Sequence, residues 1–506
     1  MDERKPGGFP NVWPVMRRGS TLRLGTVPLL LLLLLPSLPA HASDPLAALQ
    51  RLLAAPALRG ARIGVVVADL ESGQRLLERD PDRLMIPASN QKLLLASTAL
   101  AHWGPAHRFE TPVLVDGPID SEGVLEGTLW LQGRGDPSLT SESLWKLAEE
   151  VRLHGIAQIR AGIGVDVSYF DGQHYHRDWE PLSRRAYHAP VSALAVNYSS
   201  LRIEVSPGPA PGQPVQVRVA PLTPYFRVRS EAVTVEAGGA IEIELDPLPE
   251  GRGERVLVRG ALAKNASPRS FWRRVALPEI YAASLLRTQL ESQGVRVQGP
   301  LRIGRLPGSA RELLRFEGEP LGPIVWKLNK FSNNFMAEQL TKALGAELRG
   351  VPGSWEKGLE VIRSHVENLG TRATQPVLAD GSGLSPRNRV SAALLVAVAR
   401  NAALRFESGA EFVASLPLGG LDGTLEDRLS DPAPLVRGKT GHLRHVASLS
   451  GLLRRGSRRL VFAVLVNGAR SPQSDVDAAI DAFVRELGRP AGTPEHAQGV
   501  RGGDSS

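Results

Sequence analysis

Three short polar strings, separated by long stretches of chain, place the strongest constraint on the fold. They are Ser89-Asn90-Gln91-Lys92, Ser332-Asn333-Asn334 and Lys439-Thr440-Gly441, which read as SxxK, SxN and KTG. Strings of this kind act together only when the fold brings them into one cleft. The chain must therefore return twice to the same place, the first time across a gap of 240 residues between Lys92 and Ser332.

The length and the N-terminal segment limit what can fold. At 506 residues the chain is too long for a single hydrophobic core and should divide into two or three domains. Residues 1–42 read as a secretory signal peptide, because basic residues precede seven consecutive leucines and the segment ends in Ala40-His41-Ala42. The apolar run is far shorter than the roughly 20 residues of a membrane-spanning helix. We therefore predict cleavage before Ser43 and a periplasmic location, without a membrane anchor.

Composition excludes several classes of function. The chain has no cysteine, which rules out disulfides, a thiol nucleophile, Cys-ligated zinc and a lipid-modified cysteine. A formal net charge of +8 is mild for this length, and no basic run carries interleaved aromatic residues, so we predict no nucleic-acid partner. The surplus is compatible with peripheral association with an anionic envelope, and a homo-oligomer stays open.

The pattern along the chain predicts an α/β (α+β) domain that is interrupted by an insert. Residues 62–70 and 75–78 read as a strand hairpin leading to an apolar helix that begins at Ser89. Between 105 and 305, short strands recur among Gly and Pro residues, which indicates one or two small β-rich domains. Helices are predicted at 279–293, 324–344, 355–369 and 475–487, and a second hairpin at 447–466.

These patterns suggest domain boundaries. We predict a signal peptide at 1–42, a catalytic domain formed by 43–104 and 306–488, and an insert at 105–305. The tail at 489–506 is rich in Gly, Pro and polar residues and is predicted to be disordered.

Ser89 and Lys92 are the candidates for a nucleophile and its base. Residues three apart on a helix share a face, so the two side chains can come within hydrogen-bond reach. The leucines that follow Lys92 remove water from it, and lost hydration lowers the pKa of a lysine toward values at which it accepts a proton. A serine hydroxyl needs such a base because it is a weak nucleophile alone.

The SxxK pattern alone is weak evidence, since it occurs three times in this chain. Ser143 and Ser354 also precede a lysine by three residues. Ser354 reads as a helix N-cap, and Ser143 lies in another polar helix start. Ser89 differs by the hairpin before it, the apolar helix behind it and its position ahead of the other two strings.

The other two strings suggest groups that complete such a site. On a strand, Lys439 offers a positive charge and Thr440 a hydroxyl to a substrate carboxylate, and Gly441 lets a substrate backbone approach. A phosphate-binding loop is the alternative, but the first glycine of GxxxxGK[ST] is Ala433 here. The SxN residues are common in loops, and a functional role would make them a proton shuttle to a leaving amine and an amide that holds the base or the substrate carbonyl.

Further signals for function are weaker. The GxSxG string of α/β-hydrolases is absent. His174 and His176 can be pictured as metal ligands, but no third ligand is implied, and a solvated loop is the simpler interpretation. Arg134-Gly135-Asp136 reads as a turn rather than an adhesion signal. We therefore predict no metal and no cofactor.

The order and spacing of the strings resemble the low-molecular-mass penicillin-binding proteins of the D-alanyl-D-alanine carboxypeptidase/endopeptidase type, peptidase family S13 (class C type). The likeness covers nearly all of the chain after residue 42, through IPASNQKLL, LQGRGDPSL, VSALAVNYSS, LNKFSNNFMAEQL, LADGSGLSPRNRVS and VRGKTGHL. The long gap before SxN fits as well, because this family carries a large insert there and related β-lactamases have a far shorter gap.

The resemblance implies a β-lactamase/transpeptidase-like domain, in which an antiparallel sheet is flanked by helices. It also implies four catalytic roles. Ser89 would be the acylated nucleophile and Lys92 its base. Ser332 and Asn334 would relay a proton and position the reacting groups.

The same resemblance assigns substrate binding to the KTG string and the residue after it. Lys439 and Thr440 would anchor a carboxylate, and Gly441 belongs to the same substrate-binding strand. The backbone N–H groups of Ser89 and His442 would form the oxyanion hole. Family members often have Thr or Ser where this chain has His442, and a ring there could change substrate preference or add a pH dependence.

These roles predict a periplasmic serine D-Ala-D-Ala carboxypeptidase that acts on peptidoglycan stem peptides, with DD-endopeptidase activity on crosslinks as an extension. β-Lactams should acylate the same serine. Two alternatives stay open: a β-lactamase-like hydrolase that deacylates fast, and a non-catalytic envelope protein that binds peptidoglycan.

Overall fold

The computed structural model describes residues 45–179, 182–248, 253–369, 375–430 and 436–489. The predicted signal peptide and residues 490–506 of the predicted disordered tail lie outside the described residues. Within these ranges, no helix combines the length and the apolar character that crossing a bilayer requires.

The regular elements of the described residues are named in chain order. The helices are α1 (Pro45–Ala54), α2 (Gln91–Trp103), α3 (Ser141–Leu153), α4 (Pro278–Ser292), α5 (Leu321–Lys330), α6 (Asn334–Arg349), α7 (Trp355–Glu367), α8 (Ala392–Leu404), α9 (Gly409–Ser415) and α10 (Gln473–Gly488). The strands are β1 (Arg62–Asp69), β2 (Arg75–Arg79), β3 (Arg108–Val115), β4 (Val124–Leu125), β5 (Leu129–Gln132), β6 (Gln158–Ile159), β7 (Ile163–Asp166), β8 (Ser200–Ser206), β9 (Gln216–Ala220), β10 (Phe226–Ser230), β11 (Val233–Val235), β12 (Ile241–Pro247), β13 (Glu254–Ala263), β14 (Arg269–Arg274), β15 (Arg296–Val297), β16 (Leu301–Ile303), β17 (Arg311–Pro320), β18 (Val436–Leu443), β19 (Val446–Arg455) and β20 (Arg458–Asn467).

An antiparallel five-stranded sheet joins the early and late parts of the chain. Its order is β18-β19-β20-β1-β2, and β1 pairs with β20 along its whole length. Successive residues of β1 point to opposite faces, so Val65 packs with α1 and α10, whereas Val66 packs with α2 and α8. Burial on both faces explains the nearly continuous apolar sequence of β1 and β20. The predicted antiparallel sheet flanked by helices is confirmed.

The β-rich insert is built on a second, mixed five-stranded sheet. Its order is β16-β7-β5-β3-β17, with β3 antiparallel to β5 and β17 and with β7 parallel to β5 and β16. Apolar residues of α3 and α4 share its core. Because β17 pairs with β3, this sheet continues past the predicted boundary at residue 305. The division into domains itself stays a prediction.

One predicted helix is two helices in the structure, and the break lies at SxN. The sequence predicts one helix over 324–344, but α5 ends at Lys330 and α6 begins at Asn334. Ser332 lies between them with φ of 52°, a left-handed conformation that is unfavourable for a residue with a Cβ. The Asn333 side chain caps α6 by accepting a hydrogen bond from Met336 N at 3.0 Å. The single-helix prediction is wrong because the apolar pattern runs on across this capped turn.

Candidate active site

Ser89 lies in a tight turn directly before α2. The sequence prediction that the helix begins at Ser89 is therefore wrong by two residues. Residues Ala88–Asn90 form a 3-10 turn, and α2 begins at Gln91. Ala88 has φ of 47°. A backbone conformation of this kind persists only where surrounding contacts hold it, and such sites cluster at functional positions.

Buried side chains fasten this turn to the edge strand β18 and its neighbour β19. Asn90 Nδ2 donates to the Lys439 carbonyl oxygen at 3.0 Å and to Ser448 Oγ at 2.7 Å. Ser448 Oγ in turn donates to the Pro87 carbonyl oxygen at 2.7 Å. The turn and the KTG strand therefore form one rigid unit.

Close packing explains why the third residue of KTG is a glycine. A Cβ on Gly441 would collide with Ser448 Oγ and would lie 2.8 Å from Ser89 N. The sequence predicts that this glycine admits a substrate backbone, whereas in the structure it lies against the Ser89 turn. As a consequence, the peptide unit leading to His442 passes beside the backbone of Ser89, the two positions from which an oxyanion hole was predicted.

Lys92 occupies the centre of the site and is fully buried. Its Nζ donates to Ser89 Oγ at 3.1 Å, to Asn334 Oδ1 at 2.8 Å and to the Ser382 carbonyl oxygen at 2.6 Å. An ammonium has three N–H donors, and these acceptors use all of them. The lysine is thus held in one position with its nitrogen on the candidate nucleophile.

Burial lowers the pKa of Lys92 to about 8, and the charges of the buried Glu338 and Asp380 limit this decrease. A lysine with this pKa exists partly as a free amine near neutral pH. It can therefore accept a proton from a hydroxyl at hydrogen-bond distance.

Lys439 is a second fully buried lysine of the site and lies on β18. Its Nζ donates to Ser332 Oγ at 2.9 Å and to the Thr440 carbonyl oxygen at 2.8 Å. Burial, together with the charge of Lys92, holds the pKa of Lys439 well below its usual range. An incoming carboxylate would supply the counter-charge that this position lacks.

The SxN residues each contact a different lysine. Ser332 accepts from Lys439, whereas Asn334 uses Oδ1 for Lys92 and donates from Nδ2 to the Tyr187 carbonyl oxygen at 3.2 Å. Tyr187 lies in the insert, so Asn334 connects the insert to the base. Ser332, in the left-handed turn between α5 and α6, and Asn334, the first residue of α6, thus each contact one of the two buried lysines.

Thr440 and His442 point to other partners. Thr440 Oγ1 donates to Thr424 Oγ1 at 2.7 Å, in the segment that follows α9. His442 Nε2 is 2.9 Å from Asp477 Oδ1 on α10. Hence the structure brings Lys92 together with Ser89 and Asn334, and Lys439 together with Ser332, and the charge of Lys92 acts on Lys439. Thr440 and Gly441 follow Lys439 on β18, while the His442 ring pairs with α10.

Sequence reasoning missed Glu338 and Thr424 and gave no role to segment 380–385. The part of Ser382 that contacts Lys92 is its backbone carbonyl oxygen, which leaves no side-chain signature. Glu338 follows Asn334 by one helical turn, and this spacing on the same helix face was a signal that could have found it.

Burial bears on two alternative interpretations of the sequence, a metal site at His174 and His176 and an adhesion signal at residues 134–136. His176 is 9% exposed and packs edge-on against Trp355, so the solvated-loop interpretation is wrong for this residue; His174 Nε2 lies 2.8 Å from Glu279 Oε1. The described residues contain no cluster of three metal-ligating side chains. Asp136 is 1% exposed and accepts from the backbone and hydroxyl of Ser138, and the turn lies at residues 137–138, directly after the predicted 134–136.

The sheet, its helices and the Ser–Lys pair at their junction define the class of serine acyl-transfer enzymes of the penicillin-binding type. Within that class, the model of the D-Ala-D-Ala carboxypeptidase 3 (S13) family matches residues 46–487. The chain therefore belongs to this family, and the family prediction is confirmed.

Individual proteins agree with this placement. The chain is 35% identical to a D-alanyl-D-alanine carboxypeptidase of Actinomadura sp. (strain R39), over 95% of this chain and 92% of that protein. It is 27% identical to D-alanyl-D-alanine carboxypeptidase DacB of Haemophilus influenzae, over 81% and 86%. The crystal structure of penicillin binding protein 4 (dacB) from H. influenzae matches with a TM-score of 0.74 and 26% identity, over 88% of this chain and 98% of that one. A structure of the same protein complexed with a β-lactam matches with a TM-score of 0.70. The fold prediction is confirmed.

Proposed function

We propose that this chain is an exported serine D-Ala-D-Ala carboxypeptidase that removes the terminal D-Ala from peptidoglycan stem peptides through an acyl-enzyme on Ser89. The observation that carries the proposal is the 3.1 Å contact between Ser89 Oγ and a fully buried Lys92. Membership of a carboxypeptidase family and the names of the relatives support the same activity.

Acylation begins when Ser89 Oγ attacks the carbonyl carbon of the penultimate D-Ala. The hydroxyl proton moves to the neutral amine of Lys92. The charge that develops on the carbonyl oxygen faces the backbone N–H groups of Ser89 and His442. The C–N bond then breaks, and the departing nitrogen takes the hydroxyl proton of Ser332, so that D-Ala leaves as an amine. The proton held by Lys92 restores that hydroxyl, which requires the Ser332 side chain to turn from Lys439 toward Lys92.

Deacylation uses the same groups in reverse. Lys92, again a free amine, takes a proton from a water molecule as the water oxygen attacks the ester carbonyl. The ester C–O bond breaks, and Ser89 Oγ recovers the proton. The shortened peptide leaves with a new carboxylate, and the enzyme returns to its starting state.

The same site predicts a preference for substrates with a free C-terminal carboxylate. A carboxylate beside Lys439 stabilises the ammonium form of this buried lysine, and the Thr440 hydroxyl can turn from Thr424 to the ligand. Crosslinks that carry a carboxylate beside the scissile bond fit as well, which is the basis for DD-endopeptidase activity. β-Lactams combine a carboxylate with an amide inside a ring, so their nitrogen stays tethered after Ser89 is acylated.

Labelling with a fluorescent penicillin tests the nucleophile. Wild-type protein should label, and Ser89→Ala should not; Ser143→Ala, a change in another SxxK string, should label like the wild type. Persistent labelling of Ser89→Ala would remove the assignment. Fast turnover of nitrocefin would favour the β-lactamase-like alternative, and penicillin-insensitive binding to sacculi by both forms would favour the non-catalytic one.

Digestion of purified sacculi separates the two peptidase activities. Release of free D-Ala indicates carboxypeptidase action, and loss of crosslinked dimers indicates endopeptidase action, both read by mass spectrometry. Export predicts that the protein recovered from the periplasm begins at Ser43. An N-terminus still carrying residues 1–42 would contradict cleavage of the signal peptide.

A further inference from the structure

Two fully buried carboxylates lie close to Lys92 and have no part in the steps above. Glu338 is on α6, one turn after Asn334, and Asp380 begins the segment 380–385 between α7 and α8. Both are close enough for their charges to raise the pKa of Lys92. Buried carboxylates are costly unless they are compensated, so their surroundings are informative.

Three N–H groups donate hydrogen bonds to Glu338, and the Ser382 side chain also interacts with it. Oε1 accepts from Ser382 N at 2.8 Å, and Oε2 accepts from Gly381 N at 3.1 Å and from Trp355 Nε1 at 2.8 Å. An ionised carboxylate only accepts, whereas a protonated one would turn an O–H toward one of these donors. The arrangement therefore fits the ionised form of Glu338.

Asp380 is enclosed in the same way. Its oxygens accept from Trp179 Nε1 at 3.0 Å, from Asn388 Nδ2 at 2.8 Å and from the backbone N–H groups of Gly383 and Ser385 at 2.7 and 2.6 Å. Segment 380–385 thus turns its N–H groups inward around two anions.

This inward turn decides which way one carbonyl points. With its N–H on Glu338, Ser382 presents its carbonyl oxygen to Lys92 Nζ at 2.6 Å. Gly381 and Gly383 allow the segment to pack between α6 and the turn before α2. A Cβ on Gly381 would collide with a side chain of α6, and a Cβ on Gly383 would collide with the carbonyl of Ala88. The segment is therefore a fixed connection between Glu338 and the base.

We infer that Glu338 is a positioning residue for Lys92: it orients Ser382 toward the lysine, and its negative charge helps to retain the proton on Lys92. The inference rests on the proposed function, in which Lys92 is the base for Ser89. Glu338 does not touch the reacting atoms and acts only through these neighbours.

The surrounding charges allow the direction of the effect to be worked out. The charges of Asp380 and Lys342 interact with Glu338, and the charge of Lys439 interacts with Lys92, whereas His176 interacts with Asp380. Burial and the neighbouring Asp380 raise the pKa of Glu338 to about 7, although the hydrogen bonds from its N–H donors lower this pKa. Removing the charge of Glu338 leaves Asp380 as the remaining nearby anion, so Lys92 should lose its proton at lower pH.

The pH dependence of acylation by penicillin tests this inference. In Glu338→Gln, the acidic limb of the rate profile should move down by about one pH unit. The maximal rate should fall about tenfold, because the amide N–H₂ now faces an N–H donor and loosens Ser382. Trp355→Phe removes one hydrogen-bond donor to Glu338, which makes the ionised form of Glu338 less favourable. The acidic limb should therefore move down as in Glu338→Gln, but by a smaller amount. Glu279→Gln, a change at another buried glutamate, should leave the limb unchanged.

The outcomes separate the inference from the function on which it rests. An unshifted limb in Glu338→Gln, with or without a lower rate, overturns the inference while the serine-dependent labelling stands. If Glu338→Gln does not fold, Trp355→Phe decides, and an unshifted limb there overturns it. Labelling that survives Ser89→Ala instead overturns the proposed function.

Discussion

Two buried lysines on neighbouring helices, Lys92 of α2 and Lys342 of α6, face different chemistry. Lys342 Nζ contacts Asp171 Oδ1 at 2.6 Å. Lys92 contacts a hydroxyl, an amide and a carbonyl, and within the described ranges it has no carboxylate oxygen within 4.0 Å. A lysine with a direct counter-ion serves as a structural cation, whereas one held by neutral acceptors can exchange its proton.

The same contrast recurs between Lys330 and Lys439. Lys330 donates to both oxygens of Asp422 at 2.6 Å, whereas Lys439 donates to Ser332 and to its own neighbour's carbonyl. Among the four fully buried lysines of the described residues, the two without a direct carboxylate partner are Lys92 of the first SxxK string and Lys439 of the KTG string. This contrast predicts that the reactive lysines are the buried ones without a direct counter-ion.

The largest expected effect is on the base itself. Lys92→Met should lower the acylation rate by about four orders of magnitude, since it removes the proton acceptor for Ser89 while keeping an apolar chain of similar size. Stopped-flow reaction with a chromogenic β-lactam measures this rate. Lys92 has no direct carboxylate partner, and only the more distant charges of Glu338 and Asp380 lose a nearby cation. The free energy of unfolding should therefore fall by less than when Lys342, which pairs directly with Asp171, is changed to Met. A rate within tenfold of wild type would contradict the contrast.

Next in size is the loss of carboxylate recognition. Lys439→Met should reduce kcat/KM for peptides that end in a free D-Ala carboxylate by about a thousandfold, and much less for the matching methyl esters. Steady-state assays with the two substrates give the ratio. Equal losses on both substrates would show that Lys439 acts on catalysis rather than on the carboxylate.

Breaking the structural pair should give the opposite pattern. Lys342→Met leaves Asp171 without its cation and should cost about 3 kcal/mol of unfolding free energy, measured by urea denaturation. Penicillin labelling of the folded protein should be retained. Unchanged stability, or loss of labelling in a folded variant, would place Lys342 with the reactive lysines.

The smallest effects are those of pH on the intact protein. Because Lys92 acts as a free amine and its pKa is about 8, the acylation rate should rise about tenfold per pH unit below that value and level off above it. The unfolded chain holds this proton up to the ordinary value of 10.5, so Lys92 makes the unfolding free energy rise with pH between about 8 and 10.5. Lys92→Met should lose this part of the rise. A rate that falls as the pH increases toward 8 would contradict the free amine.

The sequence predicts those parts of this contrast that depend on residue types within a local motif. SxxK, KTG and the flanking hairpins single out Ser89, Lys92 and Lys439 as candidates, and the apolar helix after Lys92 predicts that this lysine is buried. The burial of Lys439 is not predicted by its local sequence. Asp171 and Asp422 escape such reasoning, since nothing local links them to Lys342 and Lys330. The Ser382 carbonyl, the left-handed turn at Ser332 and the burial of His176 also depend on tertiary contacts, which periodicity does not encode.

The most direct measurement is to incubate the protein with penicillin, digest it and map the adduct by mass spectrometry. The account predicts one penicilloyl group on Ser89 in wild type and Lys342→Met, and none in Lys92→Met over the same reaction time. An adduct on any other residue, or full modification of Ser89 without Lys92, would contradict it.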